Sequence, residues 1–195
     1  MVVSWLFTIH DSLLTTDMSQ PKEPCPAKLI IRFLFRDFEV QLQALNALVS
    51  DFGPMDFVSA PGPFPYTTYY DNEMGNGIRR QTAGFVSLVA QGSLPDIKLR
   101  TNEIETGLLR EGKRQVNIDP GLLSEERLVL ATGKNFTHRV YLRDGIFADL
   151  TLVYQKGEYR PLPWTYPDYR EPEFLHYLAV LRKKLRFIQD GTLPR

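Results

Sequence analysis

The sequence predicts an α+β fold, with a ferredoxin-like βαββαβ core that is extended by a β-hairpin and a C-terminal helix. Two observations carry this prediction. Apolar runs of strand length and apolar stripes at helical spacing follow one another as strand, helix, strand, strand, helix, strand up to Ile118. Asp144-Gly145 between two apolar runs then indicates a hairpin, and a stripe from Phe174 to Ile188 indicates a last helix.

The first strand and helix have clear boundaries. Lys28–Arg36 is dense in apolar residues between Pro26 and Asp37, which is typical of a buried strand. Asp37 is expected to cap a helix that ends before Gly53, because its carboxylate can accept from first-turn amides. The apolar stripe of that helix consists of Phe38, Leu42, Leu45, Val49 and Phe52.

The remaining elements follow from turn residues and spacing. We expect strands within 55–60, 78–89 and 113–118, the last leading into Asp119-Pro120-Gly121. A helix is expected from a capping box at Ser93 to about Arg110. Residues 124–131 fit a helix or a strand equally well. The hairpin strands are expected at 136–142 and 146–154.

Composition bounds the architecture and the compartment. The 195 residues carry 23 basic and 23 acidic side chains and one cysteine, which excludes a disulfide framework and a uniformly basic nucleic-acid binder. We expect a single domain over 28–190, preceded by a disordered or mis-annotated tail at 1–27. Residues 1–17 lack the basic start of a secretory signal, no segment offers the roughly 20 apolar residues of a membrane span, and the cytoplasm is the expected location.

The hairpin register decides which polar groups meet. A two-residue loop would pair Val140 with Asp149, whereas a three-residue loop with Gly145 as a bulge residue pairs Arg139 with Asp149 and Leu142 with Ile146. We expect the second register, because an unpaired carboxylate in an apolar layer costs several kcal/mol. In it, Arg139 and Asp149 lie side by side facing outward, and His138 points toward the core.

Three segments, 112–121, 134–141 and 162–170, mix charge with aromatic residues at expected strand ends or turns. On a functional interpretation they converge on an anionic ligand. The ligand-binding candidates are Lys113, Lys134, Arg139, Tyr141, Trp164, Tyr166 and Asp168, and the catalytic candidates are Asp149, Asp119 and Arg139. On the simpler interpretation, which we favour, the aromatics cap a sheet edge and the charges are solvated pairs.

Known catalytic and cofactor motifs do not occur. Gly75-Asn76-Gly77, followed by two arginines, fits neither the Walker pattern nor the dinucleotide fingerprint, and no cysteine–histidine spacing indicates a metal site. The sequence therefore indicates no metal site and leaves the cofactor unknown. It is compatible with a binding module for a phosphate-bearing small molecule or nucleic acid, with an enzyme acting on a small anionic or nucleotide-like substrate, or with a purely structural or protein-interaction domain. A concave pocket where several segments meet would favour the enzyme, and a flat basic stripe would favour the binding module.

A family resemblance covers about Lys28 to Arg186. Its specific part is the blocks VNIDPG, HRVYL with GIFADLTL, and WTYPDY. With these blocks the chain resembles a bacterial family known as domain of unknown function 4416. The resemblance implies no activity, substrate or catalytic residue.

Overall fold

The computed structural model of the protein describes residues 19–191. The expectations for residues 1–17 lie outside this range. The strands are β1 (Ala27–Phe35), β2 (Met55–Val58), β3 (Gly62–Pro63), β4 (Arg79–Val89), β5 (Val116–Leu123), β6 (Arg127–Thr132), β7 (Arg139–Arg143), β8 (Ile146–Gln155) and β9 (Glu158–Pro161). The helices are α1 (Phe38–Phe52), α2 (Asp71–Met74), α3 (Leu94–Gly107) and α4 (Pro172–Asp190), with 3₁₀ turns at Gln91–Ser93 and Pro167–Arg170. No helix among the described residues has the length and apolarity needed to cross a membrane.

The strands form one antiparallel sheet in the order β2-β4-β1-β5-β6-β8-β7, with β3 paired to β4 and β9 paired to β8. Helices α1 and α3 pack over the apolar cluster on one face, and α4 packs over a second cluster on the other. Helices and an antiparallel sheet are thus combined, as the predicted α+β class requires. Of the ambiguous residues 124–131, the part from Arg127 onward belongs to strand β6, and residues 124–126 form the turn before it.

Strand β1 lies in the middle of the sheet and is buried along its whole length, as its apolar run predicts. Side chains alternate between the two faces of a strand. Leu29, Ile31 and Phe33 therefore join the cluster under α1 and α3, whereas Lys28 and Arg32 point to the face that α4 covers. The ammonium of Lys28 is satisfied there, since it donates to both carboxylate oxygens of Asp56 at 2.8 and 2.7 Å.

Strands β5 and β6 stay paired for only three residues. Gly121 lies opposite Leu130 at the last pair, and from there toward Val116 strand β5 pairs with β1 alone. Helix α3 supplies the missing partners: Ile118 N–H donates to Glu105 Oε1 at 2.6 Å, and Lys98 Nζ donates to Ile118 O at 2.7 Å. The sheet therefore opens between β5 and β6.

The predicted end of β5 at Ile118 is wrong, because Asp119, Pro120 and Gly121 continue the strand to Leu123. Proline breaks a strand when a neighbour needs its N–H as a donor. In a strand, the backbone groups of every second residue point in the same direction. The backbone nitrogen of Pro120 therefore points, like that of Ile118, toward the side from which β6 has moved away. The strand loses no ladder hydrogen bond there.

Gly121 should be required at the point where the strands separate. A Cβ at this position would lie 2.6 Å from Leu130 Cδ2 and 3.0 Å from the carbonyl oxygen of Val129. We expect Gly121→Ala to lower the free energy of unfolding by about 1–3 kcal/mol, measured by urea denaturation. Gly92→Ala is the control, since its Cβ would meet no atom within 4 Å. Equal stability of the two variants would contradict this account.

Candidate functional site

A cleft with a cavity volume of about 690 Å³ lies where β5 and β6 separate. This volume is in the range of small-molecule sites. Its lining is unusually rich in charge and in tyrosine. The basic residues are Arg32, Lys98, Arg114, Lys134 and Arg139, the acidic residues are Glu105, Asp119, Asp149 and Asp168, and the tyrosines are Tyr66, Tyr69, Tyr70, Tyr166 and Tyr169.

Arg32 forms the floor of the cleft and is 4% exposed. Its guanidinium carbon lies 4.8 Å from the ring centre of Tyr169 and 4.5 Å from that of Phe174. Asp168 Oδ2 is 3.2 Å from Nε without hydrogen-bond geometry, so neither Nε nor Nη1 has an acceptor among the described residues. The hydroxyl of Tyr169 also lacks a partner there. Buried donors are nearly always paired, and the floor therefore holds two side chains with unused donors.

Asp168 and Tyr169 belong to the proline-rich segment 162–170, whose conformation holds them in place. Arg170 closes this segment on itself, since its guanidinium donates to the carbonyl oxygens of Thr165 at 2.7 Å and Pro163 at 2.9 Å. Burial raises the pKa of the Asp168 carboxyl above its usual range, although the nearby Arg32 favours the ionised form. The carboxyl is thus easier to protonate than a surface aspartate.

Asp119 is the carboxylate that the cleft offers to solvent. Its side chain is 38% exposed, against 9% for Asp168 and 8% for Asp149. Asn117 donates to Oδ2 at 2.8 Å, and Lys98 Nζ lies 3.5 Å from Oδ1. A carboxylate can accept about four hydrogen bonds, so Asp119 retains capacity for a ligand donor.

The predicted pairing of Arg139 with Asp149 is confirmed. The outward, solvent-facing placement of the pair is wrong, because both side chains are only 8% exposed. Asp149 also pairs across the sheet with Leu130, so β8 is an inner strand, and segment 162–170 covers it through a hydrogen bond from Trp164 Nε1 to Leu150 O at 2.8 Å. Beneath segment 162–170, Arg139 Nε donates to Asp149 Oδ2 at 2.9 Å.

The predicted orientation of His138 is also wrong, because its side chain does not point away from Asp149. Its Nε2 lies 3.1 Å from Asp149 Oδ2, and its ring stacks on Trp164 with centres 4.9 Å apart. Strand β7 begins at Arg139, so the alternation of faces does not extend back to His138. The imidazole lies beside the carboxylate but does not line the cleft.

The predicted loop of the hairpin is also wrong. Asp144 and Gly145 both have positive φ, and Arg143 rather than Leu142 lies opposite Ile146. This is a two-residue turn. An irregularity between Tyr141 and Arg143 shifts the register by one residue, which restores the Arg139–Asp149 pair.

The rim of the cleft is a chain of four residues. Lys134 Nζ donates to the Tyr69 hydroxyl at 3.2 Å, Arg139 Nη1 donates to Lys134 O at 2.9 Å, and Arg139 Nη2 donates to the Tyr166 hydroxyl at 3.2 Å. Tyr69 belongs to residues 64–70, which we call the strap, and Tyr166 to segment 162–170. We refer to Tyr69, Lys134, Arg139 and Tyr166 as the rim.

The structure brings six of the predicted site residues to the cleft and leaves three outside it. Those that line it are Asp119, Lys134, Arg139, Asp149, Tyr166 and Asp168. Lys113 lies in an exposed turn bridged to Arg110, Tyr141 packs against Phe147, and Trp164 supports His138. Within residues 19–191 no group of three or more histidine, cysteine or acidic side chains is arranged to hold a metal ion.

Sequence reasoning missed Arg32, Lys98 and Glu105. A signal existed for Arg32, because a charged residue in the middle of a buried strand needs a partner or a function. Lys98 and Glu105 gave none, since their role depends on a strand that is distant in sequence.

Arg139 should contribute more to stability than an exposed arginine on the same strand. Removing one partner of a buried ion pair leaves the other charge uncompensated, so we expect Arg139→Met to cost about 3–5 kcal/mol in urea denaturation. Arg143→Met is the matched control, since its side chain is 44% exposed and exposed pairs contribute about 1 kcal/mol or less. A loss for Arg139→Met as small as that of the control would show that the pair is effectively solvated.

Glu105 should affect stability through its hydrogen bond and through pH. Glu105→Leu leaves the Ile118 N–H without an acceptor and should cost about 1–3 kcal/mol, whereas Glu105→Gln keeps an acceptor. Burial raises the pKa of the Glu105 carboxyl above 4.5. The folded chain therefore binds this proton more tightly than the unfolded chain, and wild type gains stability as the pH falls from neutral through the raised pKa toward 4.5.

Glu105→Gln should lack that gain, so the difference in unfolding free energy between wild type and variant should change with pH in this direction. A difference that stays constant from pH 7 to pH 4.5 would contradict the assignment.

Comparison with known proteins identifies the chain without assigning a function. A search of curated proteins and a search of solved structures each returned no significant match. A family model matches residues 25–185 and includes every residue that lines the cleft. Since this match spans most of the chain, the protein belongs to the family described as Domain of unknown function (DUF4416).

Proposed function

We propose that the cleft binds a small phosphate-bearing molecule, with the phosphate held at Arg32. The observation that carries this proposal is the buried Arg32 guanidinium. Asp168 Oδ2 lies 3.2 Å from its Nε, but among the described residues neither Nε nor Nη1 has a hydrogen-bond acceptor, and the Tyr169 hydroxyl also lacks a partner. Both side chains line the cleft with donors that lack an acceptor among the described residues, and a phosphate oxygen can accept from either. The planar fork of arginine suits phosphate geometry particularly well.

The strap controls access to this floor. The Tyr66 hydroxyl binds the Glu171 carboxylate, and that carboxylate lies 3.8 Å from Arg32 Nη2. Arg80 Nη1 donates to the same hydroxyl at 3.2 Å. These side-chain contacts lie at the Arg32 end of the cleft, so the strap must shift there when a ligand reaches the guanidinium.

The shape of the site favours a small molecule over nucleic acid. The basic groups converge inside a concave cleft rather than along a flat stripe, and the chain has a formal net charge of zero. Binding of nucleic acid without sequence preference depends on many phosphate contacts along a basic surface.

An enzyme acting on such a molecule is the second candidate. Asp168 and Asp119 line one cleft in different environments, since the first is buried with a raised pKa and the second is open to solvent. Pairs of carboxyl groups whose environments differ in this way are typical of acid–base catalysis. Asp168 would act as the acid and Asp119 as the acceptor of a proton.

We also infer a ferredoxin-like core made of β1, α1, β2, β4, α3 and β5. The antiparallel order β2-β4-β1-β5, with α1 and α3 over one apolar cluster, supports this inference. A cytoplasmic location is proposed on the ground of the single cysteine, which forms no disulfide framework.

Binding of phosphate compounds should depend on Arg32. We expect inorganic phosphate and ribose 5-phosphate to raise the melting temperature of the wild type, because a ligand that binds the native state stabilises it. Arg32→Lys should abolish the shift. Arg182→Lys is the control, since Arg182 is also mostly buried over an aromatic ring, Tyr154, but lies outside the cleft.

Tyr169→Phe keeps the test informative if Arg32→Lys fails to fold. It removes only a hydroxyl without a partner, so the melting temperature should stay unchanged or rise while the phosphate-induced shift decreases. Absence of any shift in the wild type, or an unchanged shift in both cleft variants, would overturn the proposal.

A further inference from the structure

Resting on the proposed phosphate site, we infer that the ligand is a nucleoside monophosphate. Its phosphate binds at Arg32, a ribose hydroxyl donates to Asp119, and its base stacks on the tyrosines of the rim. Each of the three contacts depends on a different set of described residues.

The phosphate and the ribose sites are adjacent. Arg32 and Asp119 are direct partners across the β1–β5 ladder. Their side chains therefore leave the sheet on the same face, with Cβ atoms about 5 Å apart. That distance is suitable for a ligand that carries a phosphate and a hydroxyl a few bonds apart.

Asp119 has the chemistry of a ribose contact. Asn117 donates to one oxygen of the carboxylate and Lys98 forms an ion pair with the other, so the carboxylate is kept oriented. At the same time 38% of the side chain remains exposed. An acidic side chain that accepts a hydrogen bond from a ribose hydroxyl is a recurrent device of nucleotide sites. A simple anion without a hydroxyl group would leave this acceptor unused.

The rim provides the stacking surface. Tyr69 and Tyr166 are 58% and 54% exposed and line the cleft. Lys134 donates to the Tyr69 hydroxyl and its ammonium lies 4.6 Å from the centre of that ring, and Arg139 donates to the Tyr166 hydroxyl. These contacts favour one orientation of each ring before a ligand arrives. A pre-ordered ring loses little conformational entropy on binding, and its π-face accepts any base.

The charge balance of the cleft limits the ligand to few phosphates. Five basic residues line it against four acidic ones, an excess of one positive charge. A polyphosphate would bring its further negative charges toward those carboxylates.

The test compares ligands that differ by one part, using the full chain and isothermal titration calorimetry. The ligands are the four ribonucleoside 5′-monophosphates, the four nucleosides and ribose 5-phosphate. We expect at least one monophosphate to bind about tenfold more tightly than ribose 5-phosphate and than its own nucleoside. Tyr69→Leu should weaken that monophosphate at least about fivefold and leave ribose 5-phosphate unchanged, since stacking contributes about 1–3 kcal/mol per base.

Matched controls separate the rim from any exposed aromatic residue. Tyr141→Leu removes a tyrosine that is also 58% exposed but lies outside the cleft, and it should leave all affinities unchanged. Asp119→Asn should weaken both the monophosphate and ribose 5-phosphate about tenfold, and Asp144→Asn on the hairpin turn should weaken neither.

The possible failures are distinguishable. If ribose 5-phosphate binds as tightly as every monophosphate, or Tyr69→Leu has no effect, the nucleoside assignment is wrong and the phosphate site stands. If a nucleoside binds as tightly as its monophosphate, or no phosphorylated compound binds, the phosphate site itself is wrong.

Discussion

The separation of β5 from β6 is the constraint on which the rest of the structure depends. A strand edge inside a sheet must find partners for its backbone groups. Here Glu105 of α3 accepts a hydrogen bond from the N–H of Ile118, and Lys98 of α3 donates one to its C=O. Pro120 has no backbone N–H that would need an acceptor. The sheet can therefore open without leaving this part of the strand unsatisfied, and side chains from both of its faces reach one cleft.

The buried polar and ionisable side chains that line the cleft lower the stability of the fold. Within the described part of the chain, Arg32 and Tyr169 bury donors without acceptors, and each such group costs about 1–3 kcal/mol relative to a paired one. Asp168 and Glu105 are carboxyls whose burial raises their pKa. Local violations of this kind concentrate at functional sites, where a ligand completes what the fold leaves open. A site built only for stability would place apolar side chains here.

The features that could be predicted from the sequence are those that depend on a local pattern of residues. The apolar run of β1 and the cap at Asp37, which accepts from the Glu39 N–H at 2.8 Å, follow from neighbours in the chain. The Arg139–Asp149 pair is also predicted, but it arises from a register irregularity in β7 rather than from the predicted loop. Sequence reasoning failed where a distant segment decides. Nothing near Pro120 shows that β6 moves away, and nothing near Asp149 shows that segment 162–170 covers it.

The most direct test of the central claim is nuclear magnetic resonance of the Arg32 guanidinium during titration with inorganic phosphate. We expect the Nε–H and Nη–H signals of Arg32 to move strongly downfield and to saturate, because these donors gain a charged acceptor. Signals of Arg32 that stay unchanged while those of other arginines respond would contradict that claim.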